Sequence, residues 1–92
     1  MENSSKIVYV LREEYYFEGD VESSCTIFDT FEKAKTAFAE RARIEKEQSW
    51  INQLDDSDLE AMKEDESDTY LHAYDSSNYY STTIWIEEKE IK

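Results

Sequence analysis

One glycine and no proline punctuate 92 residues, so the chain has a single position where a positive backbone φ carries no steric penalty. That residue, Gly19, sits in Glu18-Gly19-Asp20 between two β-forming runs. The first, residues 6–17, opens on Ile7, Val8, Tyr9, Val10 and Leu11, a continuous apolar stretch that suits a central strand covered on both faces. Beyond it the pattern loosens to alternation, with Tyr15 and Phe17 among acids. The second, residues 21–28, sets Val21, Cys25 and Ile27 on one side. Two strands joined by a short glycine-containing link make a hairpin.

Asp29-Thr30 then opens the clearest helix. Either residue can cap it, and Glu32 stands three after Asp29, close to a capping box. Phe31, Ala34, Phe38 and Ala42 recur at helical spacing as a narrow stripe that can lie against a sheet. Ile44, Trp50 and Ile51 extend the apolar content, and the helix is expected to end near Trp50. Residues 52–68 admit two readings. One is a short second helix anchored by Leu54, Leu59 and Met62 and capped by Asp55 or Ser57; the other is an acidic loop pinned by Leu54 and Leu59. Residues 69–75 read as a third strand, Ser76-Ser77-Asn78 as a turn, and residues 79–91 as a fourth strand around Thr82-Thr83-Ile84-Trp85-Ile86. The predicted fold is α+β: one domain over residues 1–92, a single antiparallel sheet of about four strands in the order ββα(α)ββ, and the main helix packed on one face. Which strands are neighbours across the helical connection is not readable from the pattern.

Composition limits the core. Apolar residues make up 39% of the chain, below the usual range of about 45–50%. Seven Tyr, four Phe and two Trp offset this, because aromatics bury large areas per residue, and a folded chain is expected. Cys25 is the only cysteine, so neither an internal disulfide nor a cysteine-based zinc site can form. Its place in mid-strand predicts a small buried hydrophobe. The first residues lack a basic-then-apolar leader and no apolar run nears the roughly 20 residues of a membrane span, so a cytoplasmic protein is expected.

The charge is both large and segregated: 23 acids against ten bases, a formal charge of −13. Asp55, Asp56, Asp58, Glu60, Glu64, Asp65, Glu66 and Asp68 form one cluster with Lys63 as its single base, and Glu13, Glu14, Glu18, Asp20 and Glu22 form another with none. Residues 31–49, by contrast, are nearly balanced. Segregation of this kind produces a directional field that attracts cationic surfaces.

Few chemistries fit the residues present. A calcium loop starting at Asp55 would place Ser57 and Glu66 acceptably, but Leu59 would fill a ligand position and Glu60 the place that needs glycine. His72 is the only histidine, on an alternating strand between Tyr70 and Tyr74, where an edge or surface role is expected. No glycine-rich phosphate loop or second histidine completes a nucleophile–base pair, so no enzyme, cofactor or metal site is expected. Direct nucleic-acid binding is opposed by the charge, since binders gain affinity by neutralising phosphates.

Two candidate surfaces remain. The first comprises the acids Glu13, Glu14, Glu18, Asp20, Asp55, Asp56, Asp58, Glu60, Glu64, Asp65, Glu66 and Asp68. Carboxylates at i, i+3 and i+4 on a helix, or i, i+2 on a strand, stand roughly 5–7 Å apart, near the spacing of successive phosphates along a nucleic-acid strand. Such rows can compete for a cationic groove; they can equally be plain solvated surface. The second candidate is aromatic: Tyr70, His72 and Tyr74 share one side of the third strand, and Tyr79 and Trp85 one side of the fourth. If the main helix covers the opposite face, this one is left for a partner, as Tyr and Trp are enriched at interfaces. Alternatively, residues 52–68 fold back over it.

In its size, charge, acidic segments and compact sheet-plus-helix plan, the chain resembles the small acidic proteins that phages and mobile elements use against host defence, including the DNA-mimic anti-CRISPR inhibitors. The resemblance implies no catalysis, and an inhibitor that blocks the basic channel of a nucleic-acid-handling protein such as a CRISPR effector. Acidic immunity proteins and antitoxins, which cap basic toxins, share the same traits. A scaffold or dimerisation module acting through the aromatic hairpin is the expectation from another class, with the chain a monomer or homodimer.

Overall fold

A computed structural model describes residues 6–48, 50–64, 66–74 and 80–91. The elements follow as β1 (Lys6–Phe17), β2 (Asp20–Phe28), α1 (Phe31–Gln48), a 3-10 turn (Trp50–Gln53), α2 (Asp56–Glu64), β3 (Tyr70–Tyr74) and β4 (Tyr80–Ile91). The strands form one antiparallel sheet in the order β2-β1-β4-β3. The predicted class and element order hold. The connection that the pattern left open is a pairing of β1 with β4, in register from Lys6↔Ile91 to Phe17↔Tyr80.

The hairpin closes where the sole glycine stands. Phe17 pairs with Asp20, leaving a two-residue turn in which Glu18 and Gly19 have φ of 49° and 98°. Positive φ at both central positions marks the type I′ turn, whose twist matches that of the flanking strands.

Helix α1 begins at the Thr30 cap. The Thr30 hydroxyl accepts the Lys33 amide at 3.2 Å, and the Thr30 carbonyl accepts the Ala34 amide. Asp29 instead pairs with Lys33 at 3.1 Å. The predicted stripe is buried at Ala34, Phe38 and Ala42 and continues at Glu45, while Phe31 stays partly open with its ring edge-on to Tyr9. The chain turns at Trp50, whose indole donates to Thr82 Oγ1 at 3.2 Å. Residues 56–64 are helix rather than loop. Asp55 caps them, its carboxylate accepting the Asp58 amide at 2.9 Å and its carbonyl the Leu59 amide at 3.0 Å.

All the helices lie on one side of the sheet. Phe38, Ala42, Ile51 and Met62 close over Leu11, Leu71, Ala73 and Ile84, with Leu54 and Leu59 packed against them. Residues 52–68 therefore complete this core and do not cover the aromatic face, correcting that expectation. Val8 and Val10 are buried on the other side of β1, where no helix of the described residues lies. Their partners in register on the neighbouring strands are Lys89 for Val8, and Glu87 and Ile27 for Val10. The burial expected on both faces of β1 is thus present, under a helical layer on one face and at Val8 and Val10 on the other.

Candidate functional site

Register decides which residues share a face, since antiparallel partners point to the same side of a sheet. Leu11, Glu13, Tyr15 and Phe17 look toward the helices with their β4 partners Ile86, Ile84, Thr82 and Tyr80. The opposite face carries three rows across the strands. These are Cys25, Arg12, Trp85 and Tyr70; then Ser23, Glu14, Thr83 and His72; then Val21, Tyr16, Ser81 and Tyr74. Four of the five predicted aromatic-face residues, Tyr70, His72, Tyr74 and Trp85, are thereby brought together on the open face. Tyr79 lies outside the described residues. Tyr16 joins them unpredicted, because the acids around it hid its side of the strand.

The open face is not loose. Trp85 donates its indole N–H to Glu87 at 3.0 Å, and Glu87 pairs with Arg12 at 2.9 Å. The indole hydrogen bond, then the guanidinium, hold the Glu87 carboxyl below its ordinary value. His72 Nδ1 lies 2.9 Å from the Thr83 hydroxyl, and its ring tilts against Tyr74. Cys25 is exposed on this face, contrary to the buried role expected of it. The reason is positional: β2 is an edge strand, and none of the described elements covers it at Cys25.

The acids divide into three groups. Glu13 is only 8% exposed and belongs to a cluster under α1. Its carboxylate accepts the Tyr15 hydroxyl at 2.5 Å and Arg41 Nε at 3.0 Å, while Arg41 Nη2 reaches the Tyr15 oxygen and Glu45, each at 3.0 Å. Burial, then the bond to Glu13, push the Tyr15 hydroxyl above its ordinary value; bonds to Tyr15 and Glu13 do the same for Arg41. Sequence reasoning missed this cluster. The one available signal was the i,i+4 spacing of Arg41 and Glu45. Two acids share one guanidinium here, and the group joins α1 to β1 rather than facing outward.

A second group is neutralised by neighbours. Glu66 pairs with Lys46, Asp68 with Lys35 at 3.7 Å and Glu60 with Lys63 at 3.6 Å, while Arg43 links Glu40 and Glu47. The third group makes no ion pair among the described residues: Glu14, Glu18, Asp20 and Glu22 on the hairpin, Asp55, Asp56 and Asp58 at the start of α2, and Glu32, Glu88 and Glu90 elsewhere. Trp50 packs near Tyr80, and Tyr80 meets Phe17 edge-on, so the chain enters α2 from the end of the sheet that carries the β1–β2 turn. Asp65 and the Glu64 side chain lie outside what is described. Among the described residues no group of three or more His, Cys, Asp or Glu could hold a metal ion, and no helix is long and apolar enough to cross a membrane. No family model, curated protein or solved structure matches the chain.

Proposed function

We propose that the protein is a non-enzymatic inhibitor that binds a basic, nucleic-acid-handling protein, such as a host-defence nuclease of the CRISPR effector kind, in place of nucleic acid. The observation that supports this most is how the bases are used. Every base of α1 pairs with a nearby acid. Among the described residues Glu14, Glu18, Asp20 and Glu22 on the hairpin and Asp55, Asp56 and Asp58 at the start of α2 are left as two groups of uncompensated negative charge, with Glu32, Glu88 and Glu90 unpaired elsewhere. Asp20 and Glu22 stand at i, i+2 on a strand, and Asp55 and Asp58 at i, i+3, roughly the spacing of backbone phosphates. Glu13, Glu60, Glu66 and Asp68 are tied to internal partners and contribute less.

The test is capture of partners from nuclease-treated cytosolic lysate at low and high salt, with duplex DNA as competitor. Binding should weaken steeply with salt and yield to DNA. Asp56→Asn alone should weaken it only slightly, since a rim charge is worth about 1 kcal/mol or less. Asp55→Asn, Asp56→Asn, Asp58→Asn and Glu60→Gln together should weaken it by tens of fold with the fold intact, Asn being as good a cap as Asp. An immunity protein or antitoxin would behave alike but would select a single toxin. A second reading rests on the open face, where Tyr16, Tyr70, Tyr74 and Trp85 stand on one surface with no helix of the described residues over them. If the quadruple variant binds at full strength and Trp85→Ala does not, the aromatic face carries the function and the acids only solvate the chain.

A further inference from the structure

Strand β2 is exposed in an unusual way. Along nine residues only Phe28 is even half-buried; both faces are open, and its outer edge pairs with no strand of the described residues. Edge strands usually carry protection against pairing, such as proline, inward charges, a bulge or a covering loop. Here residues 23–27, Ser-Ser-Cys-Thr-Ile, hold no charge and no proline, and the β1–β2 register runs without a bulge. Val21 and Ile27, 66% and 63% exposed, are the most open large apolar side chains described.

We propose that β2 pairs with β2 of a second copy, antiparallel about a two-fold axis at Ser24, joining two four-stranded sheets into one of eight strands. Hydrogen-bond parity argues for that register. The residues flanking a two-residue hairpin turn exchange hydrogen bonds, and the pairs alternate from there. Asp20, Glu22, Ser24 and Thr26 therefore direct their backbone groups toward β1, and Val21, Ser23, Cys25 and Ile27 direct theirs outward. A two-fold at Ser24 matches Val21 with Ile27 and Ser23 with Cys25 of the second copy, and the same again in reverse, so all four outward residues are paired. An axis at Cys25 would leave Val21 without its match.

The side chains agree with the backbone. Val21 and Ile27 stand three residues either side of Ser24, so each meets the other across the interface on the open face. Glu22 falls opposite Thr26 and Asp20 opposite Phe28, so no acid faces an acid directly, where like charges destabilise a sheet. Asp20 then lies beside the strand end that leads into α1 of the second copy, near the positive end of that helix dipole. An isologous contact of this kind closes as a dimer and does not propagate. One strand edge buries less than the roughly 1,200–2,000 Å² of a standard interface, so a weak, concentration-dependent dimer is expected.

Net charge supplies the signature. Two copies at −13 repel one another, so screening favours the dimer, whereas it disfavours any complex with a basic partner. Sedimentation velocity from micromolar to millimolar protein should show the dimer fraction rising with concentration and with salt from 50 to 500 mM. Val21→Lys with Ile27→Lys, checked to be folded by circular dichroism, should dimerise at least tenfold more weakly. In a Cys25→Ser background, Ser24→Cys should crosslink to itself under mild oxidation, because the two copies of residue 24 face each other. A monomer at every concentration and salt overturns the proposal. So does a dimer that survives the double lysine variant but is lost in Tyr70→Ser, which would place the contact on the open face. Crosslinking through native Cys25 in preference to Ser24→Cys would reject the register.

Discussion

Strand β2 and helix α1 are joined by two residues, yet they are held in the structure by different forces. Helix α1 is held by its side chains: Ala34, Phe38 and Ala42 fill the core, and Arg41 and Glu45 reach the charged cluster on β1. Strand β2, apart from Phe28 at its end, which packs against the core, is held by its backbone, through a register with β1 that runs from Tyr9↔Phe28 to Phe17↔Asp20. The contrast separates two kinds of constraint. Residues of α1 must fit a packed interior, where a missing methylene is felt; residues 20–27 of β2 must only sustain a strand, which frees their side chains for contacts outside the molecule.

The largest effect should come from the packed side. Phe38 is 4% exposed in the centre of the stripe, and Phe38→Ala should cost about 3–5 kcal/mol in denaturant unfolding. A loss within about 0.5 kcal/mol, normal for an exposed site, would mean that α1 is not the main seal over the sheet. Next is the charged cluster. Arg41→Ala leaves Glu13 and Glu45 close together with the Tyr15 hydroxyl as their remaining donor. Breaking a fully buried pair costs about 3–5 kcal/mol, but Arg41 is 35% exposed, so about 2 kcal/mol is expected. Glu13→Gln keeps an acceptor for both partners and relieves the crowding of two acids, so it should cost clearly less. Equal losses would show that packing, rather than charge, decides the cluster.

The same contrast explains what could be read in advance. Elements that declare themselves by local chemistry were legible: the Gly19 hairpin, the Phe31–Phe38–Ala42 stripe and the alternating Tyr70–His72–Tyr74 strand. The choice between helix and loop for residues 52–68 was not, because Leu54, Leu59 and Met62 are too few to show a period, although Asp55, one of the two caps offered by the helix reading, is the cap observed. Cys25 was misjudged because burial depends on whether a strand is central or at an edge, and strand order is a non-local property. Glu13 was grouped with the hairpin acids for the same reason: its partner Arg41 lies 28 residues away. The acidic surface was legible as charge but not as the subset that pairing leaves free.

Salt and pH sharpen the comparison with a smaller effect. Lys33 lowers the pKa of Asp29, Arg43 that of Glu40, and the Trp85 indole with Arg12 that of Glu87. A carboxyl depressed in the folded state adds stability above its unfolded pKa and loses it as pH falls through the lower folded value. Those contributions therefore vanish below about pH 4. Above that range the unpaired acids of the hairpin and of α2 repel one another. Melting temperature at low protein concentration should rise by roughly a few degrees on adding salt at pH 7, peak on the mildly acidic side, and fall below pH 4. A clear loss of stability with salt at pH 7 would mean that the paired acids outweigh the unpaired ones.

The smallest effect is expected on β2. Ile27→Thr exchanges one β-branched residue for another, so the backbone preference for a strand is kept and only apolar contact is lost. With Ile27 exposed on the uncovered face, the monomer should lose no more than about 0.5 kcal/mol, and Cys25→Ser should be equally silent. Urea unfolding at low micromolar concentration measures this. At millimolar concentration the same Ile27→Thr substitution should weaken self-association, because Ile27 then lies against Val21 of the second copy. A cost above about 1.5 kcal/mol in the dilute monomer, typical of a packed site, would place Ile27 in an intramolecular contact. Side chains of β2 would then hold the fold as those of α1 do, and the division between the two elements would not stand.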